Sequence, residues 1–174
     1  MDLSTIPTDA GVYCMFDLDD TPAYAGQTSN LRSRLRQHFV RQDSSVSSYG
    51  RLDPWDIATV AWWTTEQTDH AEQDLLADFE PYLNFAAESE PEAPQGAIDP
   101  GTPDGTFALM SEEEQSFRRQ PYNRVKQKIE HINRMVDKIK YANHSDDTRR
   151  TLYEHKRILE QNLQDFLGVE DLDH

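Results

Sequence analysis

"GVYCMFDLDDTPAYAG", residues 11–26, decides how the fold is read. Residues 11–18 form a β-rich apolar run, and residues 19–22 (Asp-Asp-Thr-Pro) carry turn chemistry. Residues 23–26 then read as a short returning strand, which predicts a β-hairpin. Asp17, Asp19 and Asp20 could in principle gather a cation, but their place at the hairpin end reads as turn chemistry. Cys14, the sole cysteine, reads as a small buried hydrophobe on the first strand.

Outward from the hairpin, "SNLRSRLRQHF" (29–39) opens with Ser29 or Asn30 as N-cap and continues as a helix to about Arg41. Leu31, Leu35 and Phe39 recur every four residues and define its buried face. "WDIATVAWW" (55–63) is the most strand-like run in the chain, and "TDHAEQDLLADF" (68–79) is a second helix that stops before Pro81. The order β-β-α-β-α predicts an α+β domain, a small three-stranded antiparallel sheet flanked by helices, over residues 1–86.

Residues 86–105 hold four prolines and three glycines with little to bury, so an acidic, extended linker is expected over 87–110. Beyond it, Tyr122, Val125, Ile129, Ile132, Val136 and Ile139 follow the 3-4 spacing of a coiled-coil seam. Residues 142–147 break that helix, and Ser145 is a plausible N-cap for the next. Leu152, Leu159, Leu163 and Phe166 lead to Gly168 as C-cap. A helical hairpin over 111–168 is expected, with a tail at 169–174. It would serve as a dimerising arm or as a dock for a partner protein.

The net charge is -15, from 32 acids and 17 bases, and the bases are 12 Arg and 5 Lys. Acid excess with few lysines resembles proteins of organisms that hold molar salt in the cytoplasm, where repulsion is screened within about 3 Å. An ordinary acidic protein kept soluble by its charge is the alternative. Residues 116–142 nevertheless hold 8 bases and 2 acids. Arg118, Arg119, Arg124, Lys126 and Lys128 are therefore candidate contacts for a polyanion, unless the run is simply a solvated helix face. A second patch is Arg32, Arg34 and Arg41, with His38 between them. No apolar run is long enough to span a membrane. The first residues lack the basic and apolar regions of a secretory leader, and a single cysteine fits a reducing, cytoplasmic setting. His70, His131, His144, His155 and His174 show no metal-ligand spacing.

One carboxylate stands out. On a helical projection Ala71, Leu75, Leu76 and Phe79 span an arc of about 140°, and Glu72 falls inside it. A buried carboxylate must be paired, protonated or bound to a cation. The alternative is a capping box between Asp69 and Glu72.

"GVY" (11–13) and "YAG" (24–26), the arginine helix, and "AEQDLLADFEPYLN" (71–84) together resemble the GIY-YIG nuclease superfamily. The helix is similar to the one that follows the motif in nuclease domains of excision-repair incision subunits. Arg34 stands ten residues after Tyr24, as in that group. The likeness covers residues 8–86. Ala25 stands where Ile or Val is usual, and Gln27 where several members carry Lys. Gln27 can hydrogen-bond a phosphate or water but brings no charge.

The resemblance implies hydrolysis of a phosphodiester, most simply in DNA, at a single Mg²⁺ or Mn²⁺ site with Glu72 as the protein's ligand. Tyr13 would orient or deprotonate the attacking water, Tyr24 would position phosphate or water, Arg34 would clamp non-bridging oxygens, and Asn84 would brace the site. His38 would touch a phosphate or serve only in helix packing. Repair, restriction and antiviral defence are the settings considered. A non-cleaving nucleic-acid-binding or adaptor protein is the competing reading, and Gln27 speaks for it slightly.

Overall fold

The computed structural model describes residues 2–44, 51–85, 94–141 and 145–169. His144, His174 and much of the expected linker fall outside these residues.

Strands β1 (Gly11–Asp17) and β2 (Pro22–Thr28) form the expected hairpin, and Asp20 takes the left-handed conformation (φ 58°) that turns the chain. Asp17 belongs to the turn: its Oδ1 accepts the amides of Asp19 (2.9 Å) and Thr21 (3.0 Å). Helix α1 (Leu31–Arg36) is capped by Asn30, whose side chain accepts from Ser33 N at 2.8 Å. The helix then widens into one π-helical turn, Gln37–Arg41, which buries both His38 and Phe39. Such a turn admits an extra residue and often marks a functional position.

Strand β3 (Ile57–Thr64) pairs with the far side of β1, and helix α2 (Thr68–Phe79) follows. The sheet does not stop at three strands. Residues Gly105–Ala108 form β4, antiparallel to β3, giving the order β2-β1-β3-β4. β4 arises inside the stretch expected to be linker, so that expectation is corrected for residues 95–108. The buried Asp74 of α2 accepts the backbone amides of Gln95, Gly96, Ala97 and Ile98 at 2.5–3.1 Å. Trp63 donates to Asp99 O (3.0 Å), and Asp104 accepts from Thr64 N (2.6 Å). By composition this segment has nothing to bury, whereas its backbone donors and Ile98 are what the sheet engages.

The period-2 alternation of the strands sorts side chains onto two apolar layers. Tyr13, Met15, Val60 and Trp62 pack with Leu31, Leu35 and Phe39 of the first helix. Val12, Cys14, Ala61 and Trp63 pack with Ala71 and Leu75 of α2.

Three further helices complete the chain: α3 (Glu112–Arg118), α4 (Pro121–Tyr141) and α5 (Asp146–Leu167). Ser145 caps α5 through Thr148 N (3.3 Å), and Gly168 ends it in the left-handed region (φ 66°). α4 and α5 form the hairpin, and the coiled-coil seam of α4 is not the face that docks on the sheet domain. Tyr122, Ile129 and Val136 are 59%, 50% and 48% exposed, while Arg124, Lys128, His131 and Met135 are buried. The reason is electrostatic. Arg124 forms ion pairs with Asp56 and Asp19, and Lys128 Nζ lies 2.6 Å from Asp56 Oδ2. Asp56 is itself 1% exposed and requires counter-charges. The pair of cations, with desolvation opposing them, holds its carboxyl well below the ordinary range.

Candidate nucleic-acid cleavage site

The register places the two tyrosines. Tyr13 pairs with Gly26, and Met15 with Tyr24, so both rings lie on the α1 face of the sheet. Their centroids are 6.3 Å apart. Both motif glycines answer a steric demand. A Cβ on Gly26 would sit 2.7 Å from the Tyr13 hydroxyl, and one on Gly11 would sit 2.3 Å from the Trp63 carbonyl.

Tyr13 is fully buried, and its hydroxyl lies 2.7 Å from His38 Nε2 and 3.4 Å from Arg34 Nε. His38 Nδ1 in turn lies 2.9 Å from Ser44 Oγ. With Nδ1 protonated toward Ser44, Nε2 accepts the Tyr13 proton. Burial and the Arg34 charge push His38 down to about 3, so the imidazole is neutral. Burial raises Tyr13 far above an ordinary phenol, with Tyr24 adding to the rise and Arg34 opposing it. Tyr24 is raised as well, chiefly by burial. Free phenolate is therefore disfavoured at both positions.

Glu72 stands on α2, half-buried, and Gln27 bridges it to Asp69. The single amide donates 2.8 Å to Asp69 Oδ1 and 2.9 Å to Glu72 Oε2. The capping-box alternative does not hold, because α2 begins at Thr68 with Gln67 as N-cap. Burial first, and the Asp69 charge after it, raise Glu72 above the ordinary carboxylate range. Two carboxylates sharing one neutral amide are a donor set that gains from a divalent cation, so the residues fit one at Glu72. Among the described residues no cluster of three His, Cys, Asp or Glu could hold a metal by itself, so such an ion would keep ligands from water and phosphate.

Asn84 clamps the Ala25 backbone. Its Oδ1 accepts Ala25 N (2.8 Å) and its Nδ2 donates to Ala25 O (2.9 Å).

The structure thus brings together Tyr13, Tyr24, Arg34, His38, Gln27 and Glu72, with Asn84 behind them. It removes several expected phosphate contacts. Arg32 donates to the carbonyls of Ile6 (2.7 Å) and Ser4 (2.9 Å), tying down the N-terminal segment. Arg124 and Lys128 are buried against Asp56, Arg119 donates to Leu18 O (2.5 Å) and Asp20, and Arg118 donates to Glu114 and Trp55 O. Of that group Lys126 stays exposed, as does Arg41 at the end of the π turn. Asp56, Asp19 and Asp20 of the sheet domain hold Arg124, Lys128 and Arg119.

Sequence reasoning missed the pairing of His38 with Tyr13 and Ser44. The signal available was the four-residue step from Arg34 to His38, which puts both on one helical face.

One sheet face thus carries the buried Tyr13 and the half-buried Tyr24, with Arg34 at the Tyr13 hydroxyl, and the next helix brings Glu72 and Asp69 to Gln27. The N-terminal half of the chain, over residues 9–83, matches the family model described as the GIY-YIG catalytic domain. It is 27% identical over 95 residues to UvrABC system protein C of Prochlorococcus marinus (strain MIT 9211), covering 53% of this chain and 15% of that protein. Against the protein of the same name from Synechococcus sp. (strain CC9311) it is 32% identical over 95 residues, 53% of this chain and 14% of the other. Against that from Helicobacter hepaticus (strain ATCC 51449 / 3B1) it is 27% identical over 116 residues, covering 62% and 19%. The matched stretch therefore spans less than a fifth of these relatives' length. No solved structure gives a significant match. Among the described residues no helix is long and apolar enough to cross a membrane.

Proposed function

We propose that the protein is an endonuclease that hydrolyses phosphodiester bonds in DNA, in repair, restriction or defence. The observation that carries this reading is the Tyr13 hydroxyl held between neutral His38 and Arg34, with Glu72 on the adjacent helix. A divalent cation at Glu72, Mg²⁺ or Mn²⁺, would neutralise charge on the phosphate and on the leaving oxygen. Arg34 binds the non-bridging oxygens of the scissile phosphate. Tyr24 orients the phosphate or the attacking water. Tyr13 takes a proton from that water as its own passes to His38 Nε2, so no free phenolate has to form. Arrival of the phosphate neutralises Arg34, one of the two causes that hold His38 low, and so makes the imidazole a better acceptor at the moment it is needed. Asn84 keeps the Tyr24 strand in place.

The test is nicking of supercoiled plasmid in high potassium chloride with Mg²⁺, Mn²⁺ or EDTA. Glu72→Gln and Tyr13→Phe are expected to lower the metal-dependent rate by about 10²- to 10³-fold, in the range for loss of a charge-stabilising or proton-transfer group. Equal DNA binding without cleavage by any of the three proteins would favour the non-cleaving adaptor instead.

A second reading concerns the hairpin. The half-exposed heptad positions Tyr122, Ile129 and Val136 support pairing of α4 with another helix, from a second copy or a partner protein. Sedimentation across a concentration series would reveal a dimer, and a monomer throughout would leave the partner.

A further inference from the structure

A cleft of about 250 Å³ opens where the π turn ends, with Gln42, Trp55, His131, Arg134, Met135 and Lys138 in its walls. We propose that this cleft receives the nucleotide flanking the scissile phosphate, its base stacked on Trp55 and its phosphates met by Arg134 and Lys138. The inference rests on the nuclease reading and extends it to the hairpin.

Four observations carry it. Trp55 is 57% exposed although Trp62 and Trp63, in the same strand-forming run, are 6% and 3% exposed. The Arg118 guanidinium lies 4.9 Å from its ring centroid, and Arg118 also donates to the Trp55 carbonyl at 2.7 Å, so the indole is held rather than loose. A held, exposed aromatic ring beside cations is the usual platform for an unpaired base.

Second, the cleft runs against the charge of the chain. Its one carboxylate among the described residues, Asp53, is buried and engaged, accepting from Trp55 N (3.3 Å) and lying 3.5 Å from His131 Nδ1. Arg134, whose side chain is 54% exposed and whose guanidinium lies 4.0 Å from Asp53 Oδ1, and the exposed Lys138 form the outer wall. In a protein of net charge -15, a local cationic wall suits a polyanion.

Third, His131 is 3% exposed and among the described residues its Nε2 has no hydrogen-bond partner. Arg124 Nε in the same interface is likewise without one, and of the two residues it is His131 that lines this cleft.

Fourth, the position is right. Gln42, which lines the cleft, ends the π turn that carries His38 and Arg41. A strand whose phosphate sits on Arg34 would pass Arg41 and reach the cleft with its neighbouring base. The size of the cavity suits one planar base and excludes a stacked duplex, so the flanking nucleotide has to be unpaired.

The experiment uses the full chain as Glu72→Gln, which binds without cutting, and a 12-nucleotide oligothymidine in EDTA. Binding is expected to quench the Trp55 emission, since the other two tryptophans are buried in the sheet. Adding Trp55→Ala should weaken binding by about tenfold to a hundredfold, and Trp55→Phe should restore most of it. Arg134→Gln with Lys138→Gln should lower the salt slope of binding by about 1.4, at about 0.7 for each phosphate no longer neutralised. In the cutting protein Trp55→Ala should raise KM and leave kcat nearly unchanged. Unaltered affinity, emission and KM would overturn the cleft while metal-dependent nicking by the parent chain left the nuclease reading standing. Displacement by polyglutamate as readily as by an equal charge of unlabelled oligothymidine would also overturn it. A parent chain that neither binds nor nicks would overturn both.

Discussion

The sheet core and the hairpin interface hold one chain together by opposite means. On both faces of the sheet, alternate apolar residues meet apolar helix faces, with Tyr13, Trp62 and Leu35 on one side and Val12, Trp63 and Leu75 on the other. At the hairpin, α4 turns Arg124 and Lys128 inward toward Asp56 and Asp19, and the neutral His131 toward Asp53, while Tyr122, Ile129 and Val136 stay half-exposed. Apolar contact is non-directional and scales with area, so it supplies stability and tolerates small shifts. A buried ion network adds little net stability relative to an apolar replacement, but breaking one member of it is severe. The hairpin is therefore positioned rather than merely attached, and positioning is what a flanking contact beside an active site requires.

The contrast breaks first at Asp56. Asp56→Asn leaves Arg124 and Lys128 buried with too little counter-charge and is expected to cost about 3–5 kcal/mol in urea unfolding. Replacing Asp56, Arg124 and Lys128 together by Leu, Met and Met should be neutral or stabilising on the same assay, because the desolvation penalty goes with the charges. In the sheet no such rescue exists. Leu75→Ala, at a fully buried site, should cost about 2–5 kcal/mol whatever else is changed nearby.

Acid sharpens the contrast further. His131, lowered to about 4 by burial and by Lys128 and Arg134 against the pull of Asp53, and His155, well below its ordinary value, both lie in the hairpin interface. Groups depressed in the folded state contribute stability above about pH 6.5 that is lost as pH falls toward their folded values. Buried Asp17, raised to about 6 mainly by desolvation, has the opposite sign, and its contribution is present below about pH 4 and lost as pH rises through 6. With His38 also depressed, three histidines oppose Asp17 and the raised Glu72, so the thermal midpoint should fall from pH 7 to pH 5. His131→Gln should flatten that slope. The smallest effect belongs to the exposed row: Ile129→Gln should change monomer stability by less than about 0.5 kcal/mol.

The hairpin, the Asn30 cap, the tyrosine face and the odd placement of Glu72 are all legible in the sequence, because each is encoded in local spacing. β4 is not. Four residues, Gly-Thr-Phe-Ala, are too few to show alternation, and their pairing is decided by the long-range acceptors Asp74 and Asp104. The buried cations are hidden for another reason. The heptad row of α4 is real, but helix periodicity reports which residues share a face and not which face a neighbouring acidic surface selects. His38 is legible as a site residue, yet its hydrogen bonds to Tyr13 and Ser44 depend on a π turn that no residue pattern announces.

The Asn84 clamp has a consequence beyond catalysis. β2 is an outer strand, and an outer strand left with open amides and carbonyls invites another chain to add on. Asn84 offers Ala25 the acceptor and donor that a neighbouring strand would, and Leu83 N occupies the Ala23 carbonyl at 2.9 Å. The opposite border is β4, only four residues long. One side chain therefore serves two ends, keeping a tyrosine strand in register for chemistry and denying a template for aggregation in a crowded cell.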